Sequence, residues 1–137
     1  MQTPAPAPAP TPYTRGAELV DRLRQRLVII DGAMGTMVQR YKLGEAQYRG
    51  DRFKDWTGKD LKGNNEVLLL TQPHVIREIH AQYLEAGADI IETNTFGANL
   101  ANLGEYGISD RIEELAEKGA RLAREVADGY STPDRPR

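Results

Sequence analysis

The sequence predicts an α/β fold built on parallel strands. Two short apolar runs, "LVII" at residues 27–30 and "ADIIETNTF" at 88–96, each pass into polar residues, and an amphipathic helical stretch lies between them. Strand, crossover helix and strand in that order imply parallel pairing. Two strands alone leave faces and edges bare. A closed (β/α)8 TIM barrel needs roughly 250 residues, so a chain of 137 residues is expected to hold only the opening βα units of such a barrel, incomplete in this chain.

The elements follow in order. Residues 1–15 include "TPAPAPAPTP". Alternating prolines fix φ and remove backbone donors, which predicts an extended, flexible leader. The folded part is expected over 16–130, with a loose polar tail, "STPDRPR", at 131–137. "GAELVDRLRQR" reads as a short amphipathic helix with Leu19, Val20 and Leu23 on one face. "LVII" is apolar at every position and three of its four residues are β-branched, the pattern of a strand buried on both faces. Residues 41–65 mix aromatics, charges and glycines. They read as an ordered excursion pinned by Tyr48, Phe53 and Trp56, because a structureless loop of that length is rare in a compact domain.

The clearest helix runs over 71–87. Thr71 or Gln72 is expected to cap it, Pro73 sits in the first turn, Ile76, Ile79, Tyr83 and Leu84 form the apolar stripe, and Gly87 ends it. A last helix spans 112–129, with Ile112, Leu115, Ala116, Gly119, Leu122, Ala123 and Val126 on its face and a Glu114–Lys118 pair on its solvent side.

Composition narrows function. Eighteen basic and twenty acidic residues give a net charge of −2, so no basic surface for a phosphate backbone is expected. The chain has no cysteine, which removes disulfides, thiolate zinc ligation and thiol nucleophiles from its own chemistry. The longest apolar run, "VLLL", is far too short to span a bilayer, and no signal-type apolar segment is present. A cytoplasmic location, with no membrane or nucleic-acid partner, is the expectation. His74 and His80, six apart, lie about 240° apart around a helix and cannot share a metal from one face. Core and surface roles are the commoner ones for such histidines, and Trp56 reads as a packing anchor.

The polar residues gather where each predicted strand ends: Asp31 after the first, Glu92, Thr93, Asn94 and Thr95 at the second. In parallel α/β folds that edge is where ligands bind. Asp31 has two open readings there: a carboxylate that grips a cationic group, or one that accepts N–H bonds from the "GAMGT" turn that follows it. Gly32 and Gly35 let the backbone approach a ligand, but their spacing is not that of a nucleotide-phosphate loop. Along an extended segment Glu92 and Asn94 share one face, Thr93 and Thr95 the other. A buried Glu92 would need a partner.

Four stretches carry a resemblance. "DGAMGTMVQ" (31–39), "YRGDRFKDW" (48–56), "LKGNNEVLLLTQPHVIREIHAQYLEAGADIIETNTFGA" (61–98) and "ARLAREVAD" (120–128) closely resemble the start of the homocysteine-binding domain of the cobalamin-dependent methionine synthases. The aspartate–glycine turn and "ETNTF" are shared with the wider homocysteine S-methyltransferases; "RFKDW" and "KGNN" with "LTQP" resemble the cobalamin-dependent group. The resemblance implies a (β/α)8 barrel that binds homocysteine and zinc. Three cysteine thiolates hold that zinc, which binds the homocysteine sulfur as a thiolate. The thiolate attacks the methyl group of methylcobalamin presented by another domain, and a folate domain recharges the cobalamin.

By the same resemblance Asp31 meets the substrate ammonium, Gly32 gives backbone approach, and Thr93, Asn94 and Phe96 line the pocket. The zinc cysteines of the family lie in later strands, so this chain is expected to supply part of the pocket, with no catalytic or metal-ligating residue of its own, and to bind neither zinc nor cobalamin alone. Its partners would be homocysteine and the remaining barrel, folate and cobalamin domains. A fragment of a cobalamin-independent homocysteine methyltransferase and a non-catalytic binding module are the alternatives.

Overall fold

The computed structural model describes residues 16–137; the proline- and alanine-rich leader expected over 1–15 lies outside the described residues. A 3-10 turn at Gly16–Glu18 leads into α1 (Leu19–Gln25), followed by α2 (Met34–Arg40), α3 (Glu45–Arg49), α4 (Leu68–Thr71), α5 (Pro73–Glu85), α6 (Leu100–Glu105) and α7 (Ile112–Tyr130). None of these helices is long and apolar enough to cross a membrane.

The two segments expected as strands meet through one parallel bridge, Ile30 to Ile90. The amides of Asp89 and Ile90 donate to the Ile29 carbonyl, and the Asp31 amide donates to the Ile90 carbonyl. The direction of pairing is the expected one, but no longer ladder forms among the described residues. Leu27 is 86% exposed, and Ile29 and Ile30 are each 54% exposed. The both-face burial expected of "LVII" is therefore not found here: its outer edge and one face have no covering element among the described residues, so the side chains meet solvent. The apolar face of α1 shares that fate, with Val20 and Leu23 exposed.

The core lies where α5 packs against α7 and α4. Ile76, Ile79, Leu68, Leu115 and Val67 are fully buried there, each contributing about 1.5–3 kcal/mol of transfer free energy. Helix α5 keeps its expected stripe and adds Val75 and His80 to it. Of the two expected caps Gln72 is the one at the N-cap, without a side-chain cap bond; the Thr71 hydroxyl turns back to the Val67 carbonyl because Thr71 closes α4. "VLLL" is thus helical through α4, its apolar residues facing the core.

The C-terminus of α5 follows the expected glycine stop. Gly87 takes φ +109°, its amide donates to the Leu84 carbonyl, and the Ala88 amide donates to Tyr83. That pair of bonds is a Schellman closure, which favours glycine at the left-handed position. In α7, Ala116 is exposed and Ala127 is buried, a small rotation of the expected face. Glu114 pairs with Arg52 at 2.9 Å and Arg111 at 3.5 Å, not with Lys118 as expected, because the excursion places Arg52 beside it.

The excursion is ordered, as its aromatics imply. Tyr48 and Phe53 are buried, Phe53 meets Trp56 edge-to-face at 5.9 Å, and the Trp56 indole N–H donates to the Lys59 carbonyl. Glu45 fastens the far end: its carboxylate accepts the amides of Leu61 and Lys62 and the Arg49 guanidinium. Burial pushes that carboxyl up, but these bonds together hold it below its ordinary range.

The tail is not loose. Arg135 and Arg137 fold back onto Asp89, and Arg135 also donates to the Gly87 carbonyl. Asp89 is the reason: it is buried, lies just past the helix stop, and gathers cations from both ends of the described chain.

Candidate functional site

The polar ends of the two bridged segments form the candidate site. Asp31 leaves the first segment at the bridge. Its Oδ1 accepts the Glu92 amide at 2.9 Å, so its turn-directed reading is corrected: the N–H it takes comes from across the bridge and not from "GAMGT". Asp31 is half-buried. Burial pushes its carboxyl up, the Glu92 amide pulls it down, the nearby Glu92 charge raises it again, and the net direction is upward. A carboxylate in that state gains from a cationic neighbour.

Gly32 has open space where a Cβ would stand, so among the described residues nothing occupies that side of the backbone beside Asp31. The turn then tightens. Ala33, the N-cap of α2, sits at φ +48°, ψ 37°, a left-handed conformation that costs a non-glycine residue about 1–2 kcal/mol. Such strain redirects the chain sharply away from Asp31 and into α2, leaving the carboxylate at an open corner.

The second segment bends at Asn94 and turns at Phe96 and Gly97, so strict alternation does not hold over 92–96. Glu92 is exposed and needs no buried partner. The Thr93 and Thr95 hydroxyls share a hydrogen bond at 2.6 Å. The Thr95 methyl presses on α7 where Gly119 has no side chain; a Cβ at Gly119 would overlap it. Asn94 is buried, and its carboxamide N–H donates to the Asn65 carbonyl at 2.8 Å. Phe96 is fully exposed.

Of the five candidates, Asp31 and Gly32 stand together at the end of the first segment, and Thr93 follows the Glu92 whose amide binds Asp31. Asn94 turns into the protein and Phe96 turns out of it. Asn65 and Glu66 were missed by sequence reasoning. Glu66 is buried and its Oε1 accepts the Gly97 amide at 2.8 Å. The available signal was a carboxylate directly before an apolar run.

A cavity of about 430 Å³ opens beside the site, lined by Leu19, Val28, Ile90, Ile91 and Ala123 and touching the candidate residues only at Thr93. Its walls are mainly apolar, unlike the Asp31 corner. No group of histidines or carboxylates that could hold a metal ion is assembled among the described residues.

Residues 28–137 match the family described as homocysteine S-methyltransferase. The chain belongs to that family. It is 49% identical over 120 residues to a methionine synthase of Mycobacterium tuberculosis and 47% identical over the same length to one of Mycobacterium leprae. Each alignment covers 88% of this chain and 9% of the relative, so the chain spans about a tenth of the length of these methionine synthases. The homocysteine S-methyltransferase match begins within "LVII" and takes in every candidate residue from Asp31 to Phe96.

Proposed function

We propose that this chain is part of a cobalamin- and zinc-dependent methionine synthase and supplies one wall of its homocysteine pocket, within the opening βα units of a (β/α)8 barrel. The observation that carries the reading is the 49% identity maintained over 88% of the chain. The parallel bridge and the uncovered apolar residues beside it support the barrel, since further parallel strands would cover Leu27 and Ile29.

In this reading the Asp31 carboxylate holds the substrate ammonium while the Glu92 amide fixes its orientation. Gly32 admits the amino-acid end of homocysteine to the backbone, and Thr93 borders it. When bound, zinc supplies acidity to the homocysteine thiol and cobalamin carries the methyl group. This chain has no cysteine, and its described carboxylates and histidines assemble no metal site; the residues present do not fit the zinc, which later parts of the barrel would hold. The chemistry supplied by this chain is recognition of the amino acid, and it is inactive alone.

The test is the reading frame that contains residue 137, followed to its end and checked against the intact mass of the expressed protein, with an assay of homocysteine methylation by that product. A frame that continues into a barrel with late cysteines and folate and cobalamin modules, and a product that needs methylcobalamin, supports the reading. A product that methylates homocysteine without cobalamin, or not at all, rejects it.

A further inference from the structure

The residues from 92 to 97 make no regular element, yet they carry three of the five candidate pocket residues. What holds them in place comes from the end of the excursion. Asn65 accepts the Tyr48 hydroxyl on its side chain at 2.9 Å and the Asn94 carboxamide on its backbone carbonyl at 2.8 Å. Its Nδ2 lies 3.7 Å from where a Cβ on Gly35 would stand, at the start of α2. Glu66 takes the Gly97 amide, and the Asn102 carboxamide donates to the Gly97 carbonyl at 2.9 Å. Both polar groups of the Gly97 peptide are thus held by side chains, at a position where a Cβ would lie 2.7 Å from Glu66 Oε1.

Glu66 is unusual for a structural carboxylate. It is buried, and its hydrogen bond among the described residues is to a neutral amide. A buried carboxylate is costly to keep in the fold, and an apolar side chain would serve packing alone. Among the described residues the one hydrogen bond of this carboxylate fixes Gly97.

We infer that Glu66 is a positioning residue for the homocysteine pocket: through Gly97 it sets the 92–97 loop, whose Glu92 amide meets Asp31, while Asn65 holds the same loop through Asn94. The inference rests on the reading of the Asp31 corner as an amino-acid pocket. It predicts an effect on substrate affinity larger than any effect on the rate at saturation, because the loop borders the bound amino acid and not the reacting sulfur.

The experiment uses the complete enzyme encoded by the frame, comparing wild type, Glu66→Ala and Glu66→Gln. Amide hydrogen exchange of a peptide spanning 92–99 reads the loop directly, and steady-state kinetics with L-homocysteine read the pocket. The expected result for Glu66→Ala is faster exchange in that peptide, a KM for homocysteine raised about tenfold or more, and kcat within about twofold. Glu66→Gln, which keeps an oxygen acceptor for Gly97, restores both.

Unchanged exchange and unchanged KM in Glu66→Ala overturn the inference. So does faster exchange with no change in KM, which leaves Glu66 a fold residue only, and so does a loss confined to kcat. If Glu66→Ala does not fold, Glu66→Asp, which draws the acceptor back from Gly97 by one methylene, decides: faster exchange with a raised KM supports positioning, and an unchanged KM overturns it. A wild type that never turns over homocysteine removes the pocket reading and this inference with it; the exchange comparison then still shows whether Glu66 holds the loop.

Discussion

The Glu92 amide donates to the Asp31 carboxylate at 2.9 Å, across the one parallel bridge of the described chain. One oxygen of Asp31 is therefore committed to the fold, and the other has no hydrogen-bond partner among the described residues. Asparagine at 31 can still accept the Glu92 amide but carries no charge. In the complete enzyme Asp31→Asn is expected to raise the KM for homocysteine tenfold or more, equivalent to at least about 1.4 kcal/mol of binding, with thermal stability nearly unchanged. An unaltered KM would show that the ammonium is held elsewhere.

Asp89 joins parts of the chain far apart in sequence. Its carboxylate accepts Arg26 through two bonds of 2.8 and 2.9 Å, Arg135 and Arg137 at 3.1 Å each, and the Ile29 amide. The Arg26 bonds are the largest cause that holds its carboxyl far below the usual range. Removing one member of a buried charge cluster is strongly destabilising, about 3–5 kcal/mol; Arg26 and Arg135 are part exposed here, so Asp89→Asn is expected at or below the lower end. Its folded pKa lies below its unfolded value, so the stability it contributes is present above about pH 4 and lost as pH falls further. Denaturant titration at pH 7 and pH 3 checks both points: the wild type and Asp89→Asn should differ most at pH 7, and the difference should be smaller but still present at pH 3.

His80 gives a second acid response at higher pH. It is wholly buried in α5, and neither ring nitrogen has a hydrogen-bond partner among the described residues. Burial lowers its pKa from 6.5 to about 4. Here too the folded value is the lower one, but the group is neutral in the fold, so stability is complete above pH 6.5 and falls between 6.5 and 4 as the unfolded chain takes up the proton. The loss amounts to roughly 3 kcal/mol at most. His80→Leu should flatten the stability profile in that interval, and because it removes two unsatisfied polar atoms from the core it should not destabilise at pH 7. A profile with the same slope in wild type and His80→Leu would place the titration elsewhere.

The sequence revealed the helices whose pattern is local. The stripe of α5, Pro73 at its start and Gly87 at its end are written in adjacent residues, and so is most of the α7 face. It did not reveal what depends on distant residues. "LVII" has the composition of a buried strand, but burial requires neighbours, and among the described residues only one segment pairs with it. "STPDRPR" reads as loose because its anchor, Asp89, lies over forty positions away. The Asp31 corner was visible from position, since both segments end in polar groups. Asn94 and Phe96 were assigned by resemblance with no means of telling which way each side chain turns, and the Glu66–Gly97 bond joins residues 31 apart, with no periodicity to announce it.

The exposed isoleucines distinguish a barrel part from a free-standing module. Ile29 is more than half exposed and flanks the bridge. In the 137-residue chain by itself, Ile29→Lys removes apolar surface already in contact with water, so the expected change in stability is within about 0.5 kcal/mol, accompanied by less self-association in sedimentation. In the complete enzyme the same position would be covered by an adjoining strand, and a lysine there would bring a charge into an apolar sheet. The expected cost is then several kcal/mol, seen as a lowered melting temperature or loss of soluble protein. A substitution tolerated equally in both contexts would mean that no strand covers Ile29 and would argue for the module. A substitution tolerated in the short chain and damaging in the long one is the result the barrel requires.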